Sequence, residues 1–221
     1  MSKDTAGHRG RGMDGVIAHW YTRTMERNEM AEYRRAAREV AEETPHGGSV
    51  LELAPGPGFL AIALAEMGRH EVAGLDISHT FVDIARKKAE EAGVAVDFQQ
   101  GDASAMPYEA HAFDFVICRS AFKNFADPAG ALREVHRVLT RGGRALIEDL
   151  RADATSEAIG ERVASMGLSP LNALLTRAIF RHTLLPRAYD AATLTPLLEA
   201  SPFSRFEIRE KPLELSVSLW K

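Results

Sequence analysis

The amino-acid sequence predicts an α/β protein with a doubly wound seven-stranded sheet, mostly parallel with a C-terminal antiparallel hairpin, plus a helical cap. Three observations support this fold class. Short apolar segments typical of buried strands alternate with longer segments that have helical periodicity. Turns that contain glycine or proline separate the two kinds of segment. The last two strands are joined by too short a connection for a crossover, so they must be antiparallel.

A flexible tail followed by helices is predicted at the N-terminus. Residues 1–12 are polar and show no apolar spacing, which is typical of a mobile tail. Residues 13–43 place apolar side chains at helical spacing, and a turn with proline and glycine at 45–48 ends this pattern. We therefore expect a single domain over 13–221 that begins with the N-terminal helices at 13–43.

Five strands and three helices are predicted to form the parallel part of the sheet. The strands span 49–53, 71–75, 94–99, 113–118 and 144–150, and the helices span 59–67, 78–92 and 128–139. Strands that alternate with helices of this length form parallel βαβ units. Segments 205–210 and 213–219 form the antiparallel pair, and residues 151–190 interrupt the alternation as a helical cap insertion.

Composition limits the classes of function. The 221 residues carry a formal charge of −4, and the basic residues are scattered, which gives no electrostatic basis for binding nucleic acid. The single cysteine, Cys118, excludes an intrachain disulfide and a metal site built from several thiolates, and we expect no metal. Apolar runs are far too short to span a membrane and no signal peptide is evident, so we expect a cytoplasmic protein with no membrane partner.

The residues that follow the predicted strands form a coherent set. Ligands of open α/β sheets bind beyond the carboxyl ends of the strands. After the first strand, Gly56 and Gly58 allow close backbone approach, and their loop leads into a helix N-terminus that favours carboxylates. Asp76 ends the second strand and could accept both hydroxyls of a ribose. Asp102 follows the third and could accept a hydrogen bond from an adenine amine, while the loop 118–125 could flank the reacting centre.

These positions resemble the motifs of the class I, S-adenosylmethionine-dependent methyltransferases. Segment 50–58 resembles the first motif of that family, 71–77 the second and 101–103 the third. The resemblance is close over 49–150 and looser at the C-terminus. One residue departs from the pattern, because the family usually has glycine where Ala54 stands, and alanine disfavours a positive φ.

The resemblance implies S-adenosylmethionine as the cofactor and gives roles to individual residues. Glu52 and the glycine loop would hold the amino-acid end of the cofactor, Asp76 its ribose, and Asp102 with Ala103 its adenine. An aromatic residue of the N-terminal helix often closes over the cofactor in this family, which makes Tyr21 a candidate. The full predicted cofactor-binding set is Tyr21, Glu52, Ala54, Gly56, Gly58, Asp76, Ile77, Asp102, Ala103 and Arg119.

The methyl acceptor is expected to be a small, largely apolar molecule. This hypothesis depends on the apolar residues of the cap and on the lack of a basic surface. The same cap residues could equally form a homodimer contact or pack on the sheet. Because the leaving group of a sulfonium is already activated, the protein mainly aligns the nucleophile and excludes water. No catalytic residue is identified, and His182, Lys123 and Asn124 are candidates for a base or for positioning the substrate.

Two other functions fit parts of the pattern. Residues 56–61 also match the G-x-G-x-x-A motif of nicotinamide-dependent oxidoreductases, with Asp76 at a suitable distance downstream. Glu52 within the first strand and the terminal antiparallel pair count against this alternative. The chain could also bind S-adenosylmethionine without methyl transfer, as a rearrangement catalyst or a partner module. Locally, Asp76 could be a helix N-cap and Asp102 a turn residue.

Overall fold

A seven-stranded sheet forms the centre of the computed structural model, which describes residues 14–28 and 30–221. The tail predicted at 1–12 lies outside the described residues. The strands are β1 (Ser49–Leu53), β2 (Glu71–Asp76), β3 (Asp97–Gln100), β4 (Phe113–Arg119), β5 (Leu139–Leu150), β6 (Arg205–Glu210) and β7 (Glu214–Trp220). Their order is β3-β2-β1-β4-β5-β7-β6; β7 is antiparallel to both its neighbours and all other pairs are parallel. The predicted fold class is confirmed.

Eight α-helices surround the sheet within the described ranges. They are α1 (Val16–Asn28), α2 (Met30–Glu43), α3 (Phe59–Glu66), α4 (His79–Ala92), α5 (Pro128–Val138), α6 (Ser156–Ser165), α7 (Pro170–Ile179) and α8 (Ala191–Glu199). Two hydrophobic clusters, one on each face of the sheet, give the fold three layers. The first includes side chains of α2, α3 and α4, and the second includes side chains of α5 and α8. None of the helices described combines the length and the apolar character that a membrane-spanning segment requires.

Local sequence signals explain where the helices near the ligand-binding edge begin. The Ser78 hydroxyl caps α4 by accepting a hydrogen bond of 3.2 Å from the Phe81 amide. The Asp127 carboxylate caps α5 through the Gly130 amide at 2.8 Å, and Pro128 occupies the first helical position, where no amide is required. These caps fix the helix starts that follow β2 and β4.

Strand boundaries are the main differences from the predicted elements. The third strand begins at Asp97 rather than at residue 94. The fifth begins at Leu139, so the predicted turn at 141–143 lies within β5. The register between β4 and β5 shifts there, and Gly142 has a φ of 78°. The turn is therefore present as an irregularity of the strand, which a glycine in the left-handed region permits.

The winding of the sheet reverses between β1 and β4. From β1 the chain proceeds through β2 and β3 to one edge, whereas β4 and β5 lie on the other side. A crevice opens at the carboxyl ends of parallel strands at such a switch point, and ligands of α/β proteins bind there. The loops after β1, β2, β3 and β4 all reach this crevice.

The segment between β5 and α8 is helical, and its two ends lie side by side. It contains α6, α7, a π-helical turn (Phe180–Leu184) and a 3-10 turn (Leu185–Arg187). Arg151 forms an isolated parallel bridge with Tyr189, and the Ala152 amide donates to the Tyr189 carbonyl at 3.0 Å. We call residues 151–190 the cap; their ends are thus held at one point beside the sheet.

Candidate functional site

A cavity lies at the switch point and is lined by residues that follow the first four strands, together with residues of α1, α2 and α4. The structure brings all of the predicted cofactor-binding residues except Gly58 to this cavity: Tyr21, Glu52, Ala54, Gly56, Asp76, Ile77, Asp102, Ala103 and Arg119. Residues from four separate loops therefore meet at one place.

The two glycines of the loop after β1 serve different purposes. Gly56 has a φ of 54°, and a Cβ built on it would meet nothing within 4 Å, so it would stand in the open space of the cavity. Gly58 has a φ of 80°, and its Cβ would approach Phe98 Cζ to 2.6 Å. Gly56 thus keeps a cradle free for a ligand, whereas Gly58 lets the loop pack against β3.

Ala54 adopts the backbone conformation that glycine would adopt more easily. Its φ is 52°, and its amide donates to the Leu75 carbonyl at 2.8 Å. A left-handed conformation costs a residue with a Cβ about 1–2 kcal/mol. The loop therefore keeps its shape at this position at the expense of stability.

Replacing Ala54 with glycine is expected to raise the free energy of unfolding by about 0.5–1 kcal/mol. Relief of the backbone strain exceeds the extra entropy that glycine gives the unfolded chain, which is about 0.4–1 kcal/mol. Urea denaturation followed by circular dichroism measures the difference. A midpoint below that of the wild type would show that the Ala54 methyl contributes packing that outweighs the strain.

Both carboxylate oxygens of Asp76 are held by backbone amides. Oδ2 accepts from Gly56 at 2.9 Å and Oδ1 from Ser78 at 2.8 Å. Burial raises the pKa of this carboxyl to about 6, although the amides of Ser78 and Gly56 act in the opposite direction. Asp76 is not the N-cap of α4, since Ser78 has that role. Each oxygen can accept more than one hydrogen bond, so the carboxylate can also bind a ligand hydroxyl.

Glu52 is a buried acid beneath the glycine loop. Its Oε2 accepts a hydrogen bond of 2.9 Å from Ala61, in the first turn of α3. Burial raises its pKa to about 8, with a smaller opposing effect from the Ala61 amide. A buried carboxyl of this kind is stabilised in its ionised form by a bound cation. The site therefore suits a ligand with positive charge near the loop.

Asp102 both forms a turn and faces the cavity, so the two roles expected for it are compatible. Its Oδ1 accepts hydrogen bonds from the amide and the hydroxyl of Ser104, each at 2.8 Å, as in an Asx turn. In the part of the chain described, no hydrogen bond involves Oδ2, and Asp102 lines the cavity beside Ala103. The turn thus orients a carboxylate that still has an acceptor oxygen for a ligand.

Residues of α2 complete the cavity and were missed by the sequence analysis. Arg119, at the end of β4, donates to Glu148 at 2.9 Å and to Glu32 of α2 at 3.0 Å. Its guanidinium lies 5.9 Å from the centroid of the Tyr33 ring, and Glu32, Tyr33 and Arg119 all line the cavity. Helical spacing indicated only that Tyr33 belongs to an apolar face. This ion-pair network holds α2 against the sheet.

The three candidate catalytic residues occupy different environments. Asn124 lines the cavity. Lys123 does not, because its Nζ is buried in an ion pair with Asp149 at 2.6 Å and also donates to the Ser120 carbonyl. His182 lies in the π-helical turn, is exposed and does not line the cavity. Lys123 and Asn124 are neighbours in a 3-10 turn (Phe122–Asn124), in which successive side chains point about 120° apart.

The geometry does not favour a nicotinamide dinucleotide. The pyrophosphate of such a cofactor binds over the glycine loop at the helix N-terminus. Here the buried Glu52 carboxyl lies beneath that loop. A pyrophosphate beside it would disfavour the ionised form of this acid, whereas a cation would favour it. The antiparallel β7 between β5 and β6 also departs from the all-parallel dinucleotide-binding sheet.

Comparison with known proteins agrees with this site. Residues 51–147 match the family model described as "Methyltransferase domain". The demethylmenaquinone methyltransferase of Thermus thermophilus is 43% identical over 115 residues, which are 52% of this chain and 51% of that protein. A ubiquinone biosynthesis O-methyltransferase of Pseudomonas aeruginosa is 34% identical over 105 residues, 47% of this chain and 45% of the relative.

The fold is shared over most of the chain. The crystal structure of a SAM-dependent methyltransferase from Aquifex aeolicus has a TM-score of 0.68 at 17% identity, covering 90% of this chain and 97% of that one. By sequence, this chain spans about half the length of the curated relatives that it matches. Residues 51–147 are thus similar in sequence to methyltransferase domains, and the chain shares its fold with the solved methyltransferase from Aquifex aeolicus.

Proposed function

We propose that this protein transfers the methyl group of S-adenosylmethionine to a small, largely apolar acceptor. One observation carries the proposal: Asp76, Asp102 and the open cradle at Gly56, which follow three adjacent strands, line one cavity. S-adenosylmethionine has a diol, an adenine amine and a zwitterionic end. These groups need two acceptors and a close backbone, and the cavity has groups of each kind.

The fit extends to charge. Glu52 lies beneath the loop that would hold the charged end of the cofactor. Its pKa is raised by burial, and a cation bound nearby would favour its ionised form. When bound, the cofactor supplies an activated methyl group on a sulfonium. The residues of this chain would bind it, orient it and exclude water from the reacting centre.

The acceptor is expected to be a ring compound such as a hydroxylated quinol. Tyr21, Tyr33, Phe81 and Phe125 line the cavity and offer aromatic surface to such a ring. The two curated relatives are named for demethylmenaquinone and for ubiquinone biosynthesis. No histidine or lysine is found among the described residues that line the cavity, which favours an acceptor whose own hydroxyl is acidic.

Replacing Asp76 with alanine is expected to weaken binding of S-adenosylmethionine and S-adenosylhomocysteine about a hundredfold. Two hydrogen bonds to a charged group are worth about 3 kcal/mol in total, and 1.4 kcal/mol is a factor of ten. Calorimetric titration measures both affinities. Asp114→Ala is the matched control, because Asp114 also accepts a backbone amide, from Ser49 at 2.9 Å, but does not line the cavity.

A second measurement separates binding from catalysis. The wild-type protein is incubated with methyl-labelled S-adenosylmethionine and a panel of hydroxylated benzoquinols and naphthoquinols, and label is counted in the organic phase. Transfer to a ring compound, lost in Asp76→Ala and kept in Asp114→Ala, is expected. Saturable cofactor binding without transfer to any acceptor would favour a binding role, and absence of binding by the wild type would refute the proposal.

A further inference from the structure

One helix of the cap presents an apolar face to solvent. Leu171, Leu174, Leu175 and Ile179 of α7 are 68, 64, 54 and 50% exposed, and we call these four residues the outer face of α7. Within the ranges that the structure describes, the only other exposed large hydrophobic side chain is Leu168, which is 38% exposed and lies just before the helix. A contiguous apolar patch of this kind marks an interaction surface.

The orientation of α7 is well defined. The spacing of the outer face by three and four residues places its members on one side of the helix. Toward the other side, Ala173 and Phe180 pack with Ile159 and Val163 in a small cluster inside the cap. The outer face is therefore presented by a helix that is already anchored, and it does not belong to the core of the cap.

The chain segment that carries this face has charged residues of one sign. Residues 162–189 contain four arginines and no aspartate or glutamate, although the chain has a formal charge of −4. Arg177, Arg181 and Arg187 are exposed. An apolar helix face flanked by arginines is typical of helices that lie in the interface of an anionic bilayer, where the leucines enter the acyl region and the arginines meet the phosphates.

We propose that the outer face of α7 and its arginines bind the surface of an anionic lipid bilayer. A second copy of the chain fits less well, because a twofold contact through α7 would bring the arginines of both copies together. A stable interface also buries about 800 Å² and about 20–30 residues on each side, more than this helix offers. Binding to lipid does not depend on the proposed methyl transfer.

The position of the cap gives this binding a consequence for the site. Arg162 of α6 lies 4.0 Å from Glu32, which lines the cavity. Binding of α7 to a bilayer would therefore keep the cavity close to the membrane, in which apolar acceptors dissolve. This consequence rests on the proposed function, whereas the binding itself is measured without cofactor or acceptor.

Vesicle flotation with the full chain tests the proposal. The wild type is expected to float with vesicles of phosphatidylcholine and phosphatidylglycerol, to bind pure phosphatidylcholine at least about tenfold more weakly, and to be released by added salt. The double variant Leu171→Ser/Leu175→Ser should lose at least about tenfold in binding, because it removes apolar surface from the interface. Both side chains are exposed, so the variant should keep the wild-type Tm.

Charge variants provide the matched control. Arg177→Glu should reduce binding to anionic vesicles, whereas Arg133→Glu, the same change at an exposed site on α5, should not. Equal loss in both variants would show that net charge alone is responsible and would overturn the proposal. So would a wild type that does not float, or a wild-type dimer in solution that the double serine variant dissociates without any lipid binding.

Discussion

At pH 8, replacing Glu52 with glutamine is expected to stabilise the ligand-free protein by about 4 kcal/mol. Burial raises the pKa of Glu52 to about 8, whereas a glutamate in the unfolded chain has a pKa of about 4.3. The unfolded chain loses this proton first, so the contribution of Glu52 to stability is full below about pH 4 and is lost as the pH rises toward 8. Glutamine resembles the protonated acid and avoids this loss.

The pH dependence distinguishes this effect from ordinary packing. The stability advantage of Glu52→Gln over the wild type should fall to about 1 kcal/mol at pH 5. At that pH Glu52 is protonated in the folded protein, and the pH is only slightly above the pKa of about 4.3 that it has in the unfolded chain. Urea denaturation at the two pH values measures it. Glu134→Gln is a control of opposite sign, because the hydrogen bond from Arg137 lowers the pKa of Glu134, so loss of that carboxylate should destabilise the protein at pH 8.

Glu52→Gln should also bind S-adenosylmethionine at least about tenfold more weakly than the wild type, since a neutral amide cannot balance a cation. Stability and binding would then change in opposite directions, as is common where an active site contains a strained or desolvated group. If the advantage of Glu52→Gln over the wild type were no larger at pH 8 than at pH 5, Glu52 would not be desolvated in the folded protein.

Replacing Gly56 with alanine is expected to weaken cofactor binding about a hundredfold. The new methyl group would occupy the open space that the glycine leaves in the cavity, and overpacking of this kind costs about 1–3 kcal/mol. The positive φ of 54° adds a net cost to stability of about 0.5–1 kcal/mol, once the entropy that alanine removes from the unfolded chain is counted. Calorimetric titration gives the affinity and urea denaturation gives the stability.

Gly47→Ala separates the two effects. Gly47 has a φ of 77°, a Cβ there would also meet nothing within 4 Å, and the residue is exposed and does not line the cavity. Both variants should lose similar stability, but only Gly56→Ala should lose affinity. Equal affinity losses would mean that backbone strain is responsible, and the cradle at Gly56 would then have no special role in binding.

The sequence was sufficient to predict the strand-end residues but not the walls of the cavity. Asp76 and Asp102 could be predicted because both follow apolar strands, and the carboxyl ends of parallel strands meet at one edge of a sheet. Tyr33 and Glu32 could not, because their place at the cavity depends on how α2 packs across the sheet. Lys123 was a reasonable candidate by position, but its burial with Asp149 depends on a partner far along the chain.

The joined ends of the cap have an evolutionary consequence. Arg151 and Tyr189 meet at a fixed point, so the chain between them closes a loop whose entropy cost rises by only about 0.6 kcal/mol for each doubling of its length. Insertions, deletions or whole replacements between them leave the residues after β1, β2 and β3 undisturbed. Selection can thus alter this segment while the cavity, to which it contributes no lining residue, stays the same. The family-model match ends at residue 147, just before this interchangeable segment begins.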